Sequence, residues 1–128
     1  MPLNILVVDD SDIVRKMIGR TLALAELDLG DLHEAENGRE ALRVLDEHWV
    51  DLVLADINMP VMDGAAMLEA MRSAPETAGV PVIVVSTEGA ARRVEELMEV
   101  GVSAWVRKPF TPEQIRDVIL EVTSGWER

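Results

Sequence analysis

Four apolar runs stop on residues that could do chemistry. "NILVVDD" ends in Asp9-Asp10, "DLVLAD" in Asp56, "PVIVVS" in Ser86 with Thr87 next, and "SAWVRKP" in Lys108 ahead of Pro109. Three carboxylates drawn into one pocket would repel one another. At ~5 Å and an effective dielectric of ~20, each pair costs about 3 kcal/mol. Lys108 offsets part of that cost. A hard divalent cation offsets more, because Mg²⁺ takes one or two carboxylates together with waters and a phosphate oxygen. The set therefore predicts a Mg²⁺ site. It also predicts phosphoryl chemistry, which needs a carboxylate nucleophile, a metal, a hydroxyl and a lysine.

The elements that must position these groups follow from the hydrophobic pattern. "NILVVDD", "DLVLAD" and "PVIVVS" read as buried strands, "LHEAENG" as a weaker strand closing in an Asn37-Gly38 turn, and "SAWVRKP" as the last strand. Helical patterns fall between them. "SDIVRKMIGRTLALAEL" puts Ile13, Val14, Met17, Ile18 and Leu22 on one face, with Ser11 or Asp12 as its cap. "GREALRVLDEH" turns Ala41, Leu42 and Leu45 inward, "GAAMLEAMRSA" is a third helix, and "GAARRVEELMEVG" a fourth, with Gly101 just past its end. In "PEQIRDVILEVTS", Thr111 is the cap and Pro112 the first helical residue. Strands alternating with helices imply an α/β fold with a parallel sheet covered on both faces. Ligands of such sheets bind at the carboxyl ends of the strands, near the point where strand order reverses. If the first strand lies beside the third, and the third, fourth and fifth follow in order, the four chemical groups converge.

The chain has 128 residues, 48% of them hydrophobic, enough for one domain with its own core. The expectation is a single domain over 1–128, its core at about 4–122, with "GWER" as a tail. There is no cysteine, which excludes disulfides and thiolate chemistry. A net charge of −12 repels a phosphate backbone and argues against nucleic-acid binding. No run is long enough to cross a membrane, and the opening "MPLNILVVDD" does not read as a signal peptide, so the expected setting is cytoplasmic.

Taken together, "VVDDS", "ADINMPVMDG", "VVSTE" and "WVRKPF", in this order and each at a strand end, resemble the receiver domains of two-component response regulators. The resemblance is greatest to the single-domain chemotaxis-type (CheY-like) members and covers about 4–122. It implies a flavodoxin-like (βα)5 doubly wound sheet of strand order 2-1-3-4-5. It also implies roles. Asp56 matches the phosphorylated aspartate, Asp10 the main metal carboxylate, and Asp9 its neighbour, which reaches the metal through water. Asn58 matches the residue whose backbone carbonyl completes the metal shell. Ser86 matches the hydroxyl that meets the phosphoryl group, Lys108 the lysine that pairs with it, and Pro109 the proline that follows. Met59-Pro60 and Asp63-Gly64 match the loop after the acceptor, where Gly64 supplies a turn. Asn58 and Glu88 match positions that tune the lifetime of the phosphoryl group. Trp105 matches the aromatic switch, usually Tyr or Phe, and Ser86 stands where Thr is frequent.

The implied function is a phosphorylation-controlled switch. A sensor histidine kinase or a histidine phosphotransfer protein donates to Asp56. The face of the fourth helix, fifth strand and fifth helix then binds an output protein, until the domain removes its own phosphoryl group. No residues remain for an output domain, so the expectation is a stand-alone regulator acting through protein contact, not an enzyme with an external substrate.

Plainer readings stand beside these. Trp105 is equally a packing residue on an edge strand. The methionines fill core, Arg92-Arg93 with Glu95-Glu96 form a solvated helix face, and His33 and His48 have no ligand-like spacing. A Mg²⁺-dependent phosphatase would need a second acid close after Asp56 and a substrate cap, but Asn58 holds the near position. An FMN carrier would need a Ser-, Thr- or Gly-rich loop after the first strand, where this chain has acids.

Overall fold

Each apolar run becomes a strand whose alternate residues serve opposite layers. The elements are β1 (Leu3–Val8), α1 (Asp12–Leu24), β2 (Leu29–Ala35), α2 (Gly38–Glu47), β3 (Leu52–Asp56), α3 (Gly64–Ser73), β4 (Val82–Ser86), β5 (Ala104–Arg107) and α4 (Pro112–Thr123). The computed structural model describes residues 2–56, 64–86, 95, 98–99, 101–108 and 110–123, apart from the side chains at 64, 65 and 86. The fourth helix expected from the sequence lies mostly outside these residues, although Glu95, Met98 and Glu99 are helical. α4 is the expected fifth helix.

The sheet is parallel throughout, in the order β2-β1-β3-β4-β5, which matches the flavodoxin-like expectation. Ile5, Val7, Leu52, Leu54, Ile83 and Val85 face a layer containing Ile18 and Leu22 of α1 and Ile115 and Ile119 of α4. Leu6, Val8, Val53, Ala55, Val82 and Val84 face Ala41 of α2 and Met67, Leu68 and Met71 of α3. Strands buried on both faces have no polar positions to alternate with, so they read as unbroken apolar runs. Each fully buried Leu or Ile contributes roughly 2 kcal/mol.

Capping fixes where the helices begin. Ser11 Oγ accepts from the Val14 N–H at 3.3 Å, with Asp12 in the first turn of α1. At α4, Thr111 Oγ1 accepts from the Gln114 N–H at 3.1 Å, and Gln114 Oε1 accepts from the Thr111 N–H at 2.9 Å. Gly101 has φ +118° and donates its N–H to the Met98 carbonyl, the helix-ending position expected for it. Arg72 ties this turn to the α3–β4 connection by donating to the carbonyls of Ala78, Val80 and Gly101.

Three local expectations are corrected. Asn37-Gly38 is not a tight turn. Asn37 is the extended N-cap of α2 and accepts from the Glu40 N–H at 2.8 Å, and Gly38 is helical. An Asn side chain serves an orphan helix donor as readily as it serves a turn. β2 begins at Leu29, ahead of Leu32, because an edge strand with one neighbour has little hydrophobic signal. α1 stops at Leu24, and Glu26 two places on has φ +58°, outside the helical range. The rings of His33 and His48, which have no ligand-like spacing in the sequence, stack with centroids 4.5 Å apart.

Candidate functional site

The register brings the chemical strand ends level. Val8 pairs with both Ala35 and Ala55, Asp56 pairs with Val85, and Ser86 pairs with Arg107. The carboxylates that follow from this lie together: one oxygen each from Asp9, Asp10 and Asp56 fall within 4.8 Å of one another. Their exposure is graded, with Asp9 buried, Asp56 half-buried and Asp10 exposed. Lys108, one place after β5, reaches Asp9 Oδ2 with its ammonium at 3.4 Å. Asp9 Oδ1 accepts from the Ser11 N–H at 2.9 Å, so the buried acid also helps to shape the turn into α1.

These donors suit a hard divalent cation. All three are carboxylate oxygens, they are close enough to share one ion, and exposed Asp10 leaves a side open for water. Ser86 stands at the carboxyl end of β4, one strand over from Asp56. Its hydroxyl lies outside the described residues, as do Asn58, Met59, Pro60, Asp63, Thr87, Glu88 and Pro109. Gly64 opens α3.

Trp105 lies one strand further, paired with Val84 and packed against the layer on the α2–α3 face. The Arg107 guanidinium sits 5.4 Å from its ring centroid, within cation–π range. A groove of about 580 Å³ opens beside it, lined by Trp105, Val106 and Arg107 of β5 and Gln114, Asp117 and Val118 of α4.

Three features near the site were missed in the sequence. Ile13 and Met17, expected to face the core, are 72% and 60% exposed. The inward stripe of α1 is Val14, Ile18 and Leu22, and the i, i+4 pair Ile13–Met17 makes a second, exposed apolar stripe on the first turns of the same helix. Arg15 donates to the Asp9 carbonyl at 2.6 Å, to Glu34 Oε1 at 3.0 Å and to Asp12 Oδ1 at 3.1 Å. Lys16 meets the other Glu34 oxygen at 2.6 Å. The Lys16 hydrogen bond, reinforced by Arg15, holds the Glu34 carboxyl below the usual glutamate range against the opposing effect of burial. Glu34 is 19 residues from Arg15 in sequence, and only the β1–β2 pairing brings them together. Sequence spacing carried no signal for that contact.

Known proteins show the same pattern over nearly the whole chain. The family described as the response regulator receiver domain matches residues 5–120. A chemotaxis protein, CheY1 of Helicobacter pylori, is 36% identical over 124 residues, covering 96% of this chain and 98% of that protein. A CheY homologue of Campylobacter jejuni is 35% identical, covering 94% and 92%. Among solved structures, the chemotaxis response regulator CheY4 of Vibrio cholerae superposes with a TM-score of 0.83 at 32% identity, covering 95% of this chain and 99% of that one. The receiver domain of a histidine kinase from Syntrophus aciditrophicus gives 0.83 at 28% identity, covering 98% and 92%. With the fold, the acidic cluster and the matched span in agreement, this chain belongs to the response regulator receiver domain family.

Proposed function

We propose that Asp56 accepts a phosphoryl group from the phosphohistidine of a sensor histidine kinase or a histidine phosphotransfer protein, in a chemotaxis-type signalling pathway. The observation that carries this reading is the cluster of Asp9, Asp10 and Asp56 within 4.8 Å, with Lys108 beside it. In the transfer, an Asp56 oxygen attacks phosphorus, the P–N bond breaks as the P–O bond forms, and the histidine leaves. Asp10 and Asp56, with Asp9 behind them, would hold Mg²⁺, which supplies charge neutralisation for the phosphoryl oxygens. Lys108, in contact with Asp9, can follow the new negative charge. Ser86, from the end of β4, supplies the hydroxyl that meets it. Exposed Ile13 and Met17, on the helix that follows Asp9-Asp10, would give a donor protein an apolar footing.

The product is a switch. Drawing Ser86 toward the phosphoryl group shifts a pre-existing equilibrium that includes Trp105. The groove between β5 and α4 gives that ring room to move and gives an output protein a place to bind. Water then cleaves the acyl phosphate, returning the Asp56 carboxylate and inorganic phosphate, with Asn58 and Glu88 tuning the lifetime. The domain thus acts on itself and turns over no external substrate. Among the described residues, no helix is long and apolar enough to cross a membrane, and the net charge of −12 disfavours nucleic acid.

Incubation with acetyl phosphate and Mg²⁺ tests the reading. The intact mass should rise by one phosphoryl group, and Asp56→Asn should abolish the rise. An unchanged gain in that variant would sink the assignment of Asp56.

A further inference from the structure

We infer that Arg15 is a positioning residue for the metal site, holding the Asp9-Asp10 turn in its binding geometry from outside the cluster. The inference rests on the metal reading above and concerns a residue without a side-chain contact to Asp10 or Asp56 among those described. Its side chain is 12% exposed and its guanidinium forms a three-way clamp. Nη1 donates to the Asp9 carbonyl at 2.6 Å, Nε to Glu34 on β2, and Nη2 to Asp12 in the first turn of α1. From the other side, the Asp9 N–H donates to the Ala35 carbonyl at 3.1 Å. Asp9 is therefore pinned through both of its backbone polar groups, and both anchors lead to β2, through Ala35 directly and through Glu34 by way of Arg15.

The turn needs this. Mutual repulsion drives the three carboxylates apart, and a rotation of the peptide between Asp9 and Asp10 would let two of them separate. A rigid clamp on the Asp9 carbonyl closes that route. The guanidinium spreads its donors over three nitrogens in a fixed plane, each on its own acceptor, so an ammonium at position 15, with all its donors on one atom, would keep the charge and lose most of the geometry. Groups behind metal ligands commonly set affinity over ten- to a hundredfold when removed.

Charge and geometry predict opposite signs here, which makes the inference testable. A cation beside a Mg²⁺ site disfavours the ion, so on charge alone Arg15→Met would bind Mg²⁺ more tightly. Paired with Glu34 and Asp12, the guanidinium is largely neutralised, and positioning dominates. Calorimetric Mg²⁺ titration of the full chain should show Arg15→Met about tenfold weaker than wild type, with Arg15→Lys between the two. Glu34→Ala, which loosens the clamp from β2, should weaken binding in the same direction by a smaller factor and covers the case of an unfolded Arg15 variant. At saturating Mg²⁺, phosphorylation by acetyl phosphate should approach the wild-type rate. Equal or tighter Mg²⁺ binding in folded Arg15→Met, or in Glu34→Ala, overturns the inference while leaving the metal reading intact. A wild-type chain that gives no Mg²⁺ isotherm overturns both.

Discussion

Asp9 and Asp51 are the two buried carboxylates among the described residues, and they stand at opposite ends of the sheet. Asp51 precedes β3 at its amino end. Its Oδ2 accepts from the Asn4 N–H at 2.8 Å, its Oδ1 accepts from the Trp49 indole N–H at 3.0 Å, and its own N–H donates to the Asn4 carbonyl. Through these contacts the acid ties β1 to β3. Asp9 follows β1 at its carboxyl end and shares its pocket with two more acids. Burial alone does not separate a structural carboxylate from a functional one. The sign of the neighbours does, since a staple gathers donors and a reaction site gathers like charges that something else must neutralise.

The comparison can be broken at either end. The largest effect belongs to the acidic end. Mg²⁺ at ~100 times its Kd should raise the unfolding free energy by about 2.7 kcal/mol, because it binds only the folded cluster. Asp10→Asn should remove most of that gain while raising the metal-free Tm, since one repulsive partner is gone. A metal-free Asp10→Asn that melts below wild type would show that the cluster is not strained. At the staple, Asp51→Ala should cost about 2 kcal/mol by urea titration, because the Asn4 N–H loses its buried acceptor. Acetyl phosphate should still label Asp56 in that variant. Loss of labelling in folded Asp51→Ala would erase the distinction between the two ends.

The smallest effect is a surface counterpart. Glu34 is held below the usual glutamate range chiefly by Lys16, so its contribution to stability is fully present above that range. It disappears as pH falls through the lowered value. Lys16 is held above the usual lysine range, chiefly by Glu34, and its share disappears only as pH rises through the raised value. Glu34→Gln should therefore flatten the acid limb of a stability–pH curve and leave the neutral region nearly flat. An unaltered acid limb would mean that the pair contributes nothing in solution.

The strands that matter most were the easiest to read. β1, β3 and β4 are buried on both faces, and their runs end where the chemical groups begin. The order of those strands came only from the family resemblance, because nothing in the runs themselves says which is central. Helix periodicity identified the Val14, Ile18, Leu22 stripe but could not tell that the Ile13–Met17 stripe faces solvent, since both have helical spacing. Asn37-Gly38 was ambiguous in principle, as a cap and a turn call on the same side-chain chemistry. The acids of the site were legible because charge after an apolar run is expensive. Arg15 and Asp51 were not legible, because their meaning lies in contacts made 19 and 47 positions away.

The Lys108–Asp9 pair joins residues 99 positions apart, spanning the first strand and the last. During synthesis the amino-terminal strands emerge first and can begin to pair while Lys108 is still inside the ribosome. Asp9 and Asp10 are then acids at the end of an incomplete sheet, without Asp56 and later without the lysine. A nascent or carboxyl-terminally truncated chain therefore lacks the assembled site, however well its first half has folded. On the proposed function, competence to accept a phosphoryl group would then report that the whole domain has been completed, and unfinished copies would stay silent.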